Sequence, residues 1–188
     1  MSTSTVPATA GIAKPLRRLY FTRFAFAVVW AALLFTAGAH LGPAGITLLV
    51  LYPLFDVAAA VVDARSAKGG MPVAGLYANV VISLLAAVGL AVAASSGIPA
   101  VLGVWGAWAI VAGLVQLAVG LLRRTLGGQW PVILSGGISV VAGASFVLQA
   151  TKDSASLTAL AGYATLGGIF FLVSALRLGR AANDSTAG

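Results

Sequence analysis

The sequence predicts an all-α, polytopic membrane protein: six transmembrane helices built as three parallel helical-hairpin repeats, with both termini cytoplasmic. Three observations predict it: an extreme apolar composition, basic residues gathered at alternate connections, and an internal repeat. Of 188 residues, 60% are hydrophobic and only 8% charged, and the mean hydropathy is +1.04. A soluble domain carries roughly 25% charged residues. A membrane helix needs about 20 mostly apolar residues. The chain therefore has room for six spans with short connections, and none for an extramembrane domain with its own core.

Composition also excludes functions. The chain has no cysteine, so disulfides, thiolate catalysis and cysteine-bound metals are ruled out. One histidine (His40) and four carboxylates are too few to expect a transition-metal site in one chain, and no cofactor is expected. The net charge of +7 reads as basic helix ends that orient a membrane protein. The lipid bilayer is then the expected partner, along with a homo-oligomer or another membrane protein, and nucleic acid is not.

Runs of about 20 apolar residues bounded by charge, Pro or Gly place the spans. They fall near 20–40, 43–63 (opening at Pro43), 74–95, 99–122 (opening at Pro99), 131–150 (following Trp130) and 156–178. The hairpins are thus about 20–63, 74–122 and 131–178, within a transmembrane domain of 19–180. Residues 1–18 read as a disordered cytoplasmic segment, with Thr, Ala and Ser enriched up to residue 13, and 181–188 as a cytoplasmic tail. Lys14, Arg17, Arg18 and Arg23 precede or open span one. Arg65 and Lys68 follow span two, Arg123 and Arg124 follow span four, and Arg177 and Arg180 close or follow span six. The alternate connections hold only Lys152, so the positive-inside rule puts both termini in the cytoplasm. The first span also has the basic start and small-residue end of a cleavable signal peptide. Its length, and the place of Arg23 in the repeat, favour a span.

The repeat emerges when spans three and five are aligned. "ANVVISLLAAVG" (78–89) matches "LSGGISVVAGAS" (134–145), pairing Asn79 with Ser135, Ser83 with Ser139 and Ala87 with Gly143. One further step back gives Arg23, Ala27 and Ala31. Spacing of i, i+4, i+8 puts each trio on one helix face. In the even spans, Asp56 corresponds to Gln116, and to Phe170 or Phe171 in span six. Parallel copies argue against the inverted repeats of many secondary transporters. Small residues recur every seven positions: Gly106, Gly113 and Gly120 in span four; Gly136 and Gly143 in span five; Ala161, Gly168 and Ala175 in span six. A seven-residue period keeps one seam facing a partner helix, and small residues there let backbones approach in lipid.

The segment "WGAWAIVAGLVQLAVGLLRR" (105–124), followed by "WPVILSGGISVVAGASFVL" (130–148), resembles the HdeD-like membrane proteins, which carry the short membrane repeat DUF308. The resemblance covers roughly residues 20–180 and is most specific across spans four and five. It implies a six-span bacterial inner-membrane protein. Some members of that family are linked to acid resistance at high cell density, and no catalytic motif carries over. The long Thr/Ala-rich start and the less regular first hairpin depart from the pattern.

Asp56 is the sharpest feature inside the spans. A charged Asp near a helix centre costs on the order of 2.5–3.5 kcal/mol on insertion scales, so it needs a partner, a proton or water. Arg23, in the same hairpin, and Asn79 are the candidate partners, and Gln116 joins them as a candidate intramembrane polar group. Pro53, three residues before Asp56, removes a helix hydrogen bond and frees the carbonyl of Leu49. Ser83, Ser135 and Ser139 are expected to hydrogen-bond between helices. Trp105, Trp108 and Trp130 are expected in or near the aromatic belts at the membrane surfaces, and Tyr52, Tyr77 and Tyr163 as hydroxyls within the bundle. His40 has the titration range of an acid sensor. No nucleophile–base–orienter set is present, and "GLLRRTLGG" (120–128) lacks the Lys-Ser/Thr ending of a phosphate loop. The expected function is a non-enzymatic membrane component linked to acid or envelope stress. The alternative is a small channel or proton-linked transporter using Asp56.

Overall fold

The computed structural model describes residues 8–37, 41–66, 73–122 and 130–184. Six α-helices account for most of them: α1 (Ala8–Ala37), α2 (Pro43–Ser66), α3 (Val73–Ala93), α4 (Ile98–Leu122), α5 (Trp130–Gln149) and α6 (Thr158–Asp184). No strand occurs among the described residues. The helices follow the apolar runs, with two differences at the termini. α1 begins at Ala8, so residues 8–18, expected as a disordered segment, are helical, and α6 runs on to Asp184.

Local chemistry fixes the turns. Pro43 opens α2, and Pro99 and Pro131 stand second in α4 and α5, where a missing N–H costs no helix bond. Between α3 and α4 a single 3₁₀ turn (Ala94–Ser96) runs into Gly97, whose φ of +96° suits a residue without Cβ. Before α6, the Ser156 hydroxyl accepts a bond from the Thr158 N–H (3.2 Å), satisfying one of the helix's free donors.

Among the described residues, five helices are long and apolar enough to cross a membrane by length and composition: Arg17–Ala37, Pro43–Val62, Ala74–Ser96, Ile98–Ala118 and Thr158–Arg177. The apolar part of α5, Ile133–Gln149, is shorter. The outward surface matches that reading. Leu85, Val88 and Val92 on α3, Val141 on α5 and Phe35 on α1 are all more than half exposed, as suits side chains facing lipid. The chain is an all-helical bundle with the apolar helices of a multi-pass membrane protein.

The helices form a closed ring in chain order, with α6 returning to pack on α1. The closest pairs are α4–α5, α1–α6 and α2–α3. Packing is looser between α1 and α2, α3 and α4, and α5 and α6, the partners of the expected hairpins. A short connection makes two helices neighbours, but the seam residues decide how near their axes come.

The buried core is concentrated at one end of the ring, where α1, α3 and α5 finish and α2, α4 and α6 begin. Trp30, Leu34, Leu49, Leu90, Val101, Leu102, Trp105, Leu157 and Leu160 are all fully buried there. Trp105 is thus buried inside the ring, with Trp108 half-buried against it, and neither points freely outward. Trp105 stacks on Trp30 (ring centroids 5.4 Å), while Tyr52 and Trp108 meet it at 5.5 and 5.3 Å. Burying a whole indole inside the ring outweighs its preference for the interface, since rings of this size dominate core energetics. Trp130 is half exposed at the start of α5, with Arg177 over its ring. Tyr77 is exposed rather than internal. His40 lies outside the described residues.

Candidate functional site

Below the aromatic core, toward the opposite end, three helices meet at one carboxylate and a fourth joins them through a serine. Asp56 projects from α2, three residues beyond the buried Pro53. Its Oδ1 accepts from the Arg23 guanidinium of α1, forming an ion pair. Its Oδ2 accepts from the Asn79 amide (2.6 Å) and the Ser83 hydroxyl (2.9 Å), both on α3. Ser83 is fully buried and in turn accepts from the Trp108 indole of α4 (3.2 Å). A continuous chain of polar contacts therefore runs from α4 through α3 and α2 to α1. The Arg23 guanidinium also lies over the Phe171 ring of α6, 4.6 Å from its centroid, a cation–π placement.

The sequence explains the convergence. Arg23 opens the apolar part of α1 and Asp56 stands within that of α2, where a lone charge is costly. Asn79 and Ser83 are four apart on α3, so one face offers two donors to the same oxygen. The side chains of Arg23 and Asp56 retain 15% and 20% exposure. In such surroundings an ion pair is viable when further hydrogen bonds satisfy its remaining lone pairs, and here Asn79 and Ser83 do so.

Gln116 on α4, which the expected repeat aligns with Asp56, is half-buried and is not among the groups that bond Asp56. Ser139, the counterpart of Ser83, accepts from the Tyr163 hydroxyl of α6 (2.8 Å). The Trp30 indole donates to the carbonyl of Leu48 (2.6 Å), one residue from the carbonyl that Pro53 leaves without its helical donor. The sequence reading missed Trp108 as a donor and Phe171 as a ring partner. The alignment of Phe171 with Asp56 was the available signal for the second. Trp105 Nε1 is the one buried side-chain polar atom among the described residues without a hydrogen-bond partner.

The glycine positions form a second construction. In α4 and α5, Gly106 faces Gly143 and Gly113 faces Gly136. A Cβ on Gly106 would lie 2.6 Å from the Gly143 carbonyl oxygen, and one on Gly113 2.8 Å from that of Gly136. The two backbones touch, as in close helix pairs in membranes. A Cβ on Gly168, in α6, would meet Ala27 Cβ at 3.2 Å. Gly120 lies in α4, beyond the residues whose side-chain surroundings are described.

No cluster of three or more His, Cys, Asp or Glu side chains that could hold a metal occurs among the described residues. Among the described residues, two shallow surface grooves lie on α1, at Arg17–Ala25, and along α5, at Val140–Lys152, and Asp56 lines neither. No family model matches the chain, and no curated protein or solved structure matches it.

Proposed function

We propose that the chain is a non-enzymatic, six-span bacterial inner-membrane protein of the HdeD-like type, with cytoplasmic termini, acting as a structural component tied to acid or envelope stress. The resemblance in α4 and α5 supports the type, and α5, at 20 residues, serves as the sixth span. The grouping of Arg65, Arg177 and Arg180 at one end, with Lys152 at the other, supports the orientation. The threefold repeat is supported by two corresponding bonds, Trp108 to Ser83 and Tyr163 to Ser139. Each joins an aromatic donor on an even-numbered helix to a serine on the preceding odd-numbered one.

One observation carries the structural role: both oxygens of Asp56 are occupied by donors from neighbouring helices. A carboxylate so engaged pins α1, α2 and α3 together. The competing reading, a proton or cation path, draws on the 20% exposure that Asp56 keeps. Liposome flux separates them. With the structural role, the parent and Asp56→Asn both show no proton or cation flux between pH 5 and 8, and the variant melts at a lower temperature. Flux in the parent that Asp56→Asn abolishes, with folding intact, would replace the structural reading by transport.

A further inference from the structure

We propose that the groove on α1 at the basic end of the bundle holds an anionic phospholipid, its phosphate on Arg17 and Arg18 and one acyl chain running along α1. Arg17, Arg18, Phe21, Thr22 and Ala25 line a shallow, open groove. Both arginines are exposed, and no described carboxylate forms an ion pair with either. Arg17 is held from two sides. Its guanidinium lies 5.5 Å from the centroid of the Phe21 ring, and its carbon would sit 2.9 Å from a Cβ on Gly179 of α6. Arg177 and Arg180 flank that glycine in the sequence and are also exposed, so positive charge continues onto the neighbouring helix. The Thr22 hydroxyl donates to the Arg18 carbonyl (3.0 Å), which leaves the guanidiniums as the donors to an anion.

The surface below these charges selects a lipid over a free phosphate. Phe21, Ala25, Val29 and Leu33 recur every four residues, and Val29 and Leu33 are 58% and 49% exposed. They make an apolar track about 18 Å long at 1.5 Å per residue, comparable to an acyl chain lying against one leaflet. Arginine forks match phosphate oxygens, and basic pockets beside membrane helices suit anionic headgroups.

The test is native mass spectrometry of the detergent-purified full chain, titrated with dioleoyl phosphatidylglycerol or dioleoyl phosphatidylcholine, with glycerol 3-phosphate as the soluble competitor. Arg18→Gln is the chosen variant because Arg17 also packs on α6. Lys152→Gln, in the α5–α6 connection, is the control. The expected result is at least a tenfold preference for phosphatidylglycerol, reduced about fivefold by Arg18→Gln and unchanged by Lys152→Gln, with the melting temperature of each variant equal to the parent's. Equal affinity for the two lipids would overturn the proposal, as would an Arg18→Gln variant binding like the parent. Displacement of the lipid by millimolar glycerol 3-phosphate would replace it with a soluble-anion site.

Discussion

Between α2 and α3 the contact is made by side chains: a carboxylate from one helix receives an amide and a hydroxyl from the other. Between α4 and α5 it is made by backbone, with Gly106 and Gly113 set against Gly143 and Gly136. In the proposed repeat these pairs correspond. Where α4 carries Gly113 and Gln116, α2 carries Pro53 and Asp56; where α5 carries Ser135 and Ser139, α3 carries Asn79 and Ser83. In lipid, apolar side chains gain nothing from meeting each other rather than lipid tails, so association rests on close packing and interhelical hydrogen bonds. One pair relies on the first and the other on the second. The third close pair, α1–α6, takes an intermediate form, with Gly168 near Ala27 and Arg23 over Phe171.

The glycine pair should be the easier to break outright. Gly143→Leu places atoms where the Gly106 carbonyl and the Ile110 N–H already stand, at 2.6 and 2.9 Å from the first added carbon. Backbone cannot turn aside as a side chain can, so a loss of more than about 3 kcal/mol is expected, beyond ordinary overpacking. The readout is a thermal melt in detergent, and a midpoint within 2 °C of the parent would rule out the seam. Next comes Asp56→Ala, at about 3 kcal/mol, because Arg23 is left without its counter-charge. Replacing both residues by leucine should recover most of that loss in a reversible unfolding titration. No recovery would mean that Arg23 is stabilised by something other than Asp56.

Smaller substitutions sharpen the contrast between the serines. Ser83→Ala removes one bond to a carboxylate and one from an indole, and about 1–2 kcal/mol is expected. Ser139→Ala removes only the bond from Tyr163, and about 0.6 kcal/mol is expected. Equal losses in the same titration would show that the carboxylate adds nothing to Ser83. Gln116→Leu should stay within about 0.5 kcal/mol of the parent; a larger loss would give Gln116 a role that its surroundings do not indicate.

Much of the polar centre was legible because charge is so rare in this chain. An Asp and an Arg in one apolar hairpin have few ways to be accommodated, and Asn79 and Ser83 shared a face by spacing alone. The glycine seam was legible for the same reason of periodicity. The aromatic core was not. A tryptophan near a span's end fits the membrane surface or the interior equally well by sequence, and only the ring of helices shows that Trp105 points inward. Nor was the pairing of helices. Chain order shows which helices are joined, while the alternation of close and loose contacts depends on how faces from separate spans fit in three dimensions.

The Arg23–Asp56 contact spans 33 residues of chain, and that separation matters during synthesis. At 5–20 residues per second, Arg23 is made roughly two to seven seconds before its counter-ion. In that interval the Arg23 guanidinium, near the start of the apolar stretch of α1, is without its counter-charge. The carboxylate that joins α1 to α2 therefore arrives only with the second helix, so this part of the packing is set by the order of synthesis and not by α1 alone.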